Sequence, residues 1–167
     1  MRRGIAIVGV PLMLAVAPVA AQEVMLRQAP AGYAFGNPRL LTQQLIWGRL
    51  HGARLLGLAC HDRGDGAAAL AYVDWLDRQW SRIRAAGRDL ARHYFSQDQM
   101  PLDAIDTALQ LKDRLDIPGE ELMTACATLP EALAAPRNDL ERYYAERREA
   151  VRRGDPEFPG AVWQEAE

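Results

Sequence analysis

The sequence predicts an all-α protein, a single irregular bundle of about five helices with one disulfide. Apolar side chains recur at helical spacing along most of the chain, and no stretch has the alternating, β-branched pattern of a strand. Two cysteines, Cys60 and Cys126, lie far apart in a chain whose first residues have the pattern of an export signal. In an oxidising compartment such a pair favours one disulfide bond.

Residues 1–21 have the organisation of a secretory signal peptide. Arg2–Arg3 form a basic start, Gly4–Ala17 is an apolar run, and Val19–Ala21 places small residues where a signal peptidase reads them. The apolar run is shorter than the about 20 residues that a membrane span needs. We therefore expect cleavage before Gln22, a periplasmic or secreted product, and no membrane span in that product.

An irregular lead-in is expected at residues 22–37, which contain prolines, glycines and an asparagine. Its aromatic residues, Tyr33 and Phe35, are expected to pack on the helical domain, predicted at residues 38–153. Residues 154–167 contain two prolines and are expected to form a mobile tail.

The first predicted helix runs from about Pro38 to Cys60. Apolar residues and glycines form a broad arc on it, and the glycines indicate that a neighbouring backbone comes close. Arg49 lies within this arc, where it would either pair with a buried carboxylate or extend its head group to solvent. The opposite, polar strip contains Gln43, Gln44, Trp47, His51 and Arg54.

The second predicted helix runs from about Asp65, the predicted N-cap, to Phe95. Its core-facing stripe contains Ala69, Tyr72, Val73, Leu76, Trp80, Ile83, Gly87, Leu90, Ala91 and Tyr94. Three shorter helices are expected after it: about Pro101 to Asp116, a run that starts at Pro118 and is interrupted at Pro130, and about Pro136 to Arg153.

The composition argues against several classes of function. The formal net charge is −2, and signal removal would take away two arginines, so a general nucleic-acid binder is not expected. The nucleophile-elbow, zinc-protease, phosphate-loop and dinucleotide motifs are missing from the sequence. The three histidines have no metal-ligand spacing. The sequence therefore favours a non-enzymatic protein without a metal or cofactor.

Two groups of residues are candidate binding sites. Trp47, His51 and Arg54 follow one another at i, i+4 and i+7, and together they would suit an anionic or aromatic ligand or a protein partner. The alternative is that the lead-in or the last helix covers Trp47, because large aromatic residues are mostly buried. A secondary basic ridge on the second helix, which is either a solvated face or a site for an acidic partner, comprises Arg84, Arg88 and Arg92.

Three hypotheses about function remain after these exclusions. The first is an exported, non-enzymatic interaction or accessory module, such as an adaptor, accessory subunit or inhibitor, with an envelope protein as its partner. The second is a carrier of a small ligand or metal that uses the His51 face of the first helix. The third is a hydrolase of envelope polymers, for which the sequence nominates no catalytic pair. The oligomeric state stays open.

Overall fold

In the computed structural model, which describes residues 32–99, 102–157 and 162–164, those residues form five α-helices and no strand. The all-α prediction is thus confirmed. A 3₁₀ turn, Pro136–Asn138, precedes the last helix. The predicted signal peptide lies outside the described residues. In chain order the helices are α1 Pro38–Asp62, α2 Gly66–Phe95, α3 Leu102–Ala108, α4 Gly119–Ala134 and α5 Leu140–Arg152.

The two long helices, α1 and α2, form an antiparallel pair connected by a short turn. Asn37 and Asp65 cap them, because their side-chain oxygens accept the backbone N–H groups of Leu40 and Ala68, each at 3.0 Å. The predicted cap at Asp65 is therefore confirmed. α2 ends where Ser96 adopts a left-handed backbone with φ of 54°.

The shorter helices pack on two flanks of the α1–α2 pair. On one flank, Cys60 of α1 is bonded to Cys126 of α4, and the Trp75 indole of α2 donates to the Asn138 carbonyl oxygen at 2.8 Å. Trp47, which contacts α3, lies about 140° around α1 from Cys60. Since α3 spans less than two turns, it covers only part of its flank and leaves a long stretch of α2 open.

The core lies between these layers and contains the predicted disulfide. Cys60 and Cys126 are both buried, and their bond joins α1 to α4 across 66 positions of sequence. The disulfide prediction is confirmed. Among the described residues, the largest fully buried apolar side chains are Trp47, Trp75, Ile46, Ile83, Leu90, Ile105 and Leu140.

Three predicted helix boundaries were wrong. The last helix begins at Leu140 and not at about Pro136, because Pro136–Asn138 forms a separate 3₁₀ turn. The helix that was expected to reach Asp116 ends at Ala108, because Gln110 is left-handed (φ 54°) and the Leu111 N–H turns back to the Asp106 carbonyl at 3.0 Å. Pro130 does not interrupt its helix, since α4 continues to Ala134. Leu129 and Leu133, both buried, keep this turn packed on the core although proline supplies no N–H.

The glycines of α1 also differ from their prediction. Gly57 does allow a close approach, because a Cβ built there would lie 2.7 Å from Cγ of Tyr72 on α2. At Gly48 and Gly52, in contrast, a Cβ would meet no other part of the described chain within 4 Å. One glycine out of the three therefore serves the packing of α1 on α2.

The segments before α1 and after α5 have defined contacts where the structure describes them. Phe35 is 80 % exposed, so the expectation that it packs on the helical domain was wrong. In the predicted tail, Trp163 is mostly buried and lies edge-on to Tyr144, with 5.3 Å between ring centroids. No helix in the described part of the chain has the length and apolar character to cross a membrane.

Candidate functional site

The three predicted site residues of α1 converge on one carboxylate of α3. Asp106 accepts the Trp47 indole N–H at 2.8 Å on Oδ1 and an Arg54 guanidinium N–H at 2.5 Å on Oδ2. Nδ1 of His51 lies 3.3 Å from the same Oδ2. We call Trp47, His51, Arg54 and Asp106 the Asp106 cluster.

Both ring nitrogens of His51 have polar partners inside the protein. Nε2 lies 2.6 Å from the backbone carbonyl oxygen of Lys112, which can only accept, so Nε2 donates. Nδ1 lies 3.0 Å from Nη2 of Arg54, which can only donate, so Nδ1 accepts. Both nitrogens are thereby occupied within the protein.

This arrangement limits the chemistry that His51 can perform. A histidine–aspartate pair acts as a general base only if its second nitrogen faces the substrate, and here that nitrogen faces the Lys112 carbonyl. A metal ion would need a free lone pair on a ring nitrogen of His51, and both ring nitrogens already have partners within the protein. Among the described residues, no group of three or more histidine, cysteine, aspartate or glutamate side chains could hold a metal ion.

The Asp106 cluster is interior rather than open to solvent. Trp47 is 1 % exposed and His51 is also buried. Trp47 and His51 thus contact α3 and the segment that follows it, through Asp106 and the Lys112 carbonyl. These contacts hold α3 on α1. An exposed binding surface lies elsewhere on the molecule.

A second polar cluster, which sequence reasoning missed, fastens the lead-in to the other end of the pair. Nε2 of Gln44 donates to the Tyr94 hydroxyl oxygen at 2.6 Å and to the Gly32 carbonyl at 3.1 Å. The Gln44 Oε1 accepts the Ala34 N–H at 2.8 Å. Burial raises the pKa of Tyr94, and the hydrogen bond from Gln44 partly offsets that rise.

A third contact explains why Arg49 is tolerated in the apolar arc of α1. Its guanidinium carbon lies 3.5 Å from the ring centroid of Tyr143 on α5, a cation–π arrangement. Neither alternative raised for Arg49 describes this contact. Arg82 of α2 stacks in the same way on Tyr144, at 4.0 Å. Both arginines therefore serve to attach α5.

The exposed candidate is a continuous row on α2 that faces away from α4 and α5. Leu70, Val73 and Trp80 are 65 %, 55 % and 44 % exposed, although large apolar side chains usually find cover in a core. The prediction that Val73 and Trp80 face the core was wrong, because no helix of the described chain covers this side. We call the following residues the outer face: Leu70, Val73, Asp77, Trp80, Arg84 and Arg88.

Of the three arginines in the predicted basic ridge, two belong to the outer face and the third forms an ion pair. Arg84 and Arg88 are exposed and form no ion pair within the described part of the chain. Arg92 instead bonds to Asp98 at 2.5 Å beyond the end of α2. Two of the three predicted arginines thus remain available for a partner.

Comparison with known proteins does not add a functional assignment. No protein-family model, no curated protein and no solved structure matches this chain.

Proposed function

We propose that this protein is an exported, non-enzymatic interaction module and that the outer face of α2 is its docking surface. The observation that carries the proposal is the row of three exposed apolar residues, Leu70, Val73 and Trp80, on a helix whose other side is packed. Apolar rows of this kind on a folded domain mark sites of protein interaction.

The composition of the outer face suits a protein partner better than a small ligand. Tryptophan and arginine are the residues that most often dominate the energy of protein interfaces, and Trp80 lies one helical turn from Arg84. A convex helix surface, in contrast, does not enclose a small molecule. The partner that fits is an amphipathic helix that carries acidic groups beside its apolar residues.

The interior chemistry favours the same hypothesis over the two others. The carrier hypothesis relied on His51, whose ring nitrogens contact Lys112 and Arg54. The hydrolase hypothesis needs a carboxylate pair, and Asp106, the carboxylate that the predicted site residues contact, already receives hydrogen bonds from Trp47 and Arg54. Neither hypothesis has a specific contact in its favour.

Export is the second half of the proposal and rests on the signal-like organisation of residues 1–21 and on the buried disulfide. Intact-mass measurement of the protein recovered from its cells tests it. We expect a chain that begins at Gln22, and a chain that retains Arg2 would contradict export through a cleaved signal.

Docking at the outer face is tested by photocrosslinking inside the producing cells. Benzoylphenylalanine replaces Trp80, and the matched control places it at Arg78, an exposed position on the same helix about 160° away around the axis. We expect an adduct with one polypeptide, identified by mass spectrometry, from position 80 only, and we expect Arg84→Glu to reduce its yield. Equal labelling from both positions, or no adduct, would contradict the proposal.

A further inference from the structure

The outer face has the residue spacing of a helix that pairs with another helix. Leu70, Val73, Asp77, Trp80 and Arg84 follow one another in steps of three, four, three and four. This is the spacing that keeps one seam of a helix turned toward a partner helix. Three of the five are apolar, and all five are exposed.

The charges on the outer face are arranged so that two copies of the face, running antiparallel, place opposite charges next to each other. Asp77 precedes Trp80 by three positions, and Arg84 follows it by four, so the acidic part lies toward the start of α2 and the basic part toward its end. If two copies run antiparallel about a two-fold axis beside Trp80, Asp77 of each lies opposite Arg84 of the other. In the same alignment the aliphatic stem of Arg88 covers Val73.

We infer that the partner of the outer face is a second copy of this chain, which pairs with it through α2 in an antiparallel, two-fold symmetric dimer. This inference rests on the proposed function, since it names the partner for the same surface. Isologous pairing of this kind is the commonest form of self-association, and it closes at two copies.

The size of the seam sets the expected strength of the dimer. In this alignment the two outer faces overlap from Val73 to Arg88, a helix length of about 22 Å at 1.5 Å per residue. A single helix pair of that length buries less than the about 800 Å² per partner of a standard interface. We therefore expect a weak dimer with a Kd on the order of micromolar.

Sedimentation equilibrium of the purified protein, at concentrations from about 1 to 500 µM around that Kd, tests the inference with a charge exchange. We expect wild type to dimerise, and Asp77→Arg and Arg84→Asp each to weaken the dimer about tenfold, because each places like charges opposite each other. The double variant D77R/R84D should recover the wild-type Kd, since the attraction returns with exchanged signs. Arg78→Asp, on the other side of α2, is the control and should change nothing.

The outcomes separate this inference from the function on which it rests. A wild type that stays monomeric at every concentration, or a double variant as weak as its parents, overturns the dimer. If position 80 nevertheless crosslinks to a different polypeptide in cells, docking at the outer face stands and only the partner is wrong. If neither self-association nor crosslinking occurs, both proposals fail. Circular dichroism confirms that each variant is folded, as exposed substitutions should be.

Discussion

A single aspartate gives three side chains of α1 their conformation. Asp106 accepts from Trp47 and Arg54 at once, and the remaining donor capacity of Arg54 fixes Nδ1 of His51. Polar groups that leave water must find partners of matching sign, or they cost stability. The residues that the sequence nominated as a binding site, Trp47, His51 and Arg54, thus attach a helix of only seven residues to α1.

Replacing this aspartate measures how strongly α3 is held. Asp106→Ala leaves the Trp47 N–H and the Arg54 guanidinium without their acceptor, so we expect the free energy of unfolding to fall by about 2–3 kcal/mol. Asp113→Ala, an exposed position in the segment after α3, should stay within about 0.5 kcal/mol of wild type. Urea unfolding followed by circular dichroism checks both. An Asp106→Ala protein as stable as the control would show that these contacts do not hold α3.

At the scale of elements, the close approach of α1 and α2 at Gly57 positions the outer face. Tyr72 fills the space beside that glycine, and Val73, the next residue, is consequently turned outward. The closeness of the two helices at this point depends on the missing side chain, whereas Gly48 and Gly52 have no comparable neighbour.

Three alanine substitutions separate packing from helix propensity. Gly57→Ala should destabilise the protein by about 1–3 kcal/mol, because the new methyl group would overlap the base of the Tyr72 side chain. Gly48→Ala and Gly52→Ala should each stabilise it by about 0.5–1 kcal/mol, because alanine favours a helix and has room there. Thermal unfolding of the three variants is the measurement. Equal effects at all three positions would contradict the close approach.

Features that depend on nearby residues could be predicted from the sequence, whereas features that depend on the packing of distant helices could not. Asp65 was predicted as a cap because capping depends on neighbours three residues away, and the disulfide was predicted because the chain has two cysteines. Trp80 was assigned to the wrong side because its spacing fits both the core stripe and the seam beside it. Only the placement of α4 and α5 decides between them. Asp106 was not nominated because it reaches Trp47 from 59 positions away.

At the scale of the whole molecule, one covalent bond closes a loop that contains all of α2 and α3. The bond joins the end of α1 to α4, so the chain cannot expand fully between residues 60 and 126 when it unfolds. In the chain-entropy model, a loop of that length stabilises the folded state by about 4 kcal/mol. For a domain of this size, that is a large share of the usual net stability.

Removing the bond should therefore affect the whole domain. We expect the double variant C60A/C126A to lose about 4 kcal/mol of unfolding free energy in urea. Wild type with a reducing agent should lose a similar amount, while the reducing agent should leave the double variant unchanged. If reduction does not alter the unfolding midpoint of wild type, the stabilising role of the loop is refuted.

The unequal exposure of the tryptophans gives the molecule an optical property. Trp47 and Trp75 are buried and Trp163 is mostly covered, so Trp80 is the most exposed of the four tryptophans. Acrylamide dissolved in the buffer will quench the emission of Trp80 well before that of the others. Whatever covers the outer face, whether a second copy or another protein, will protect this fraction of the fluorescence, so occupancy can be measured without attaching a label.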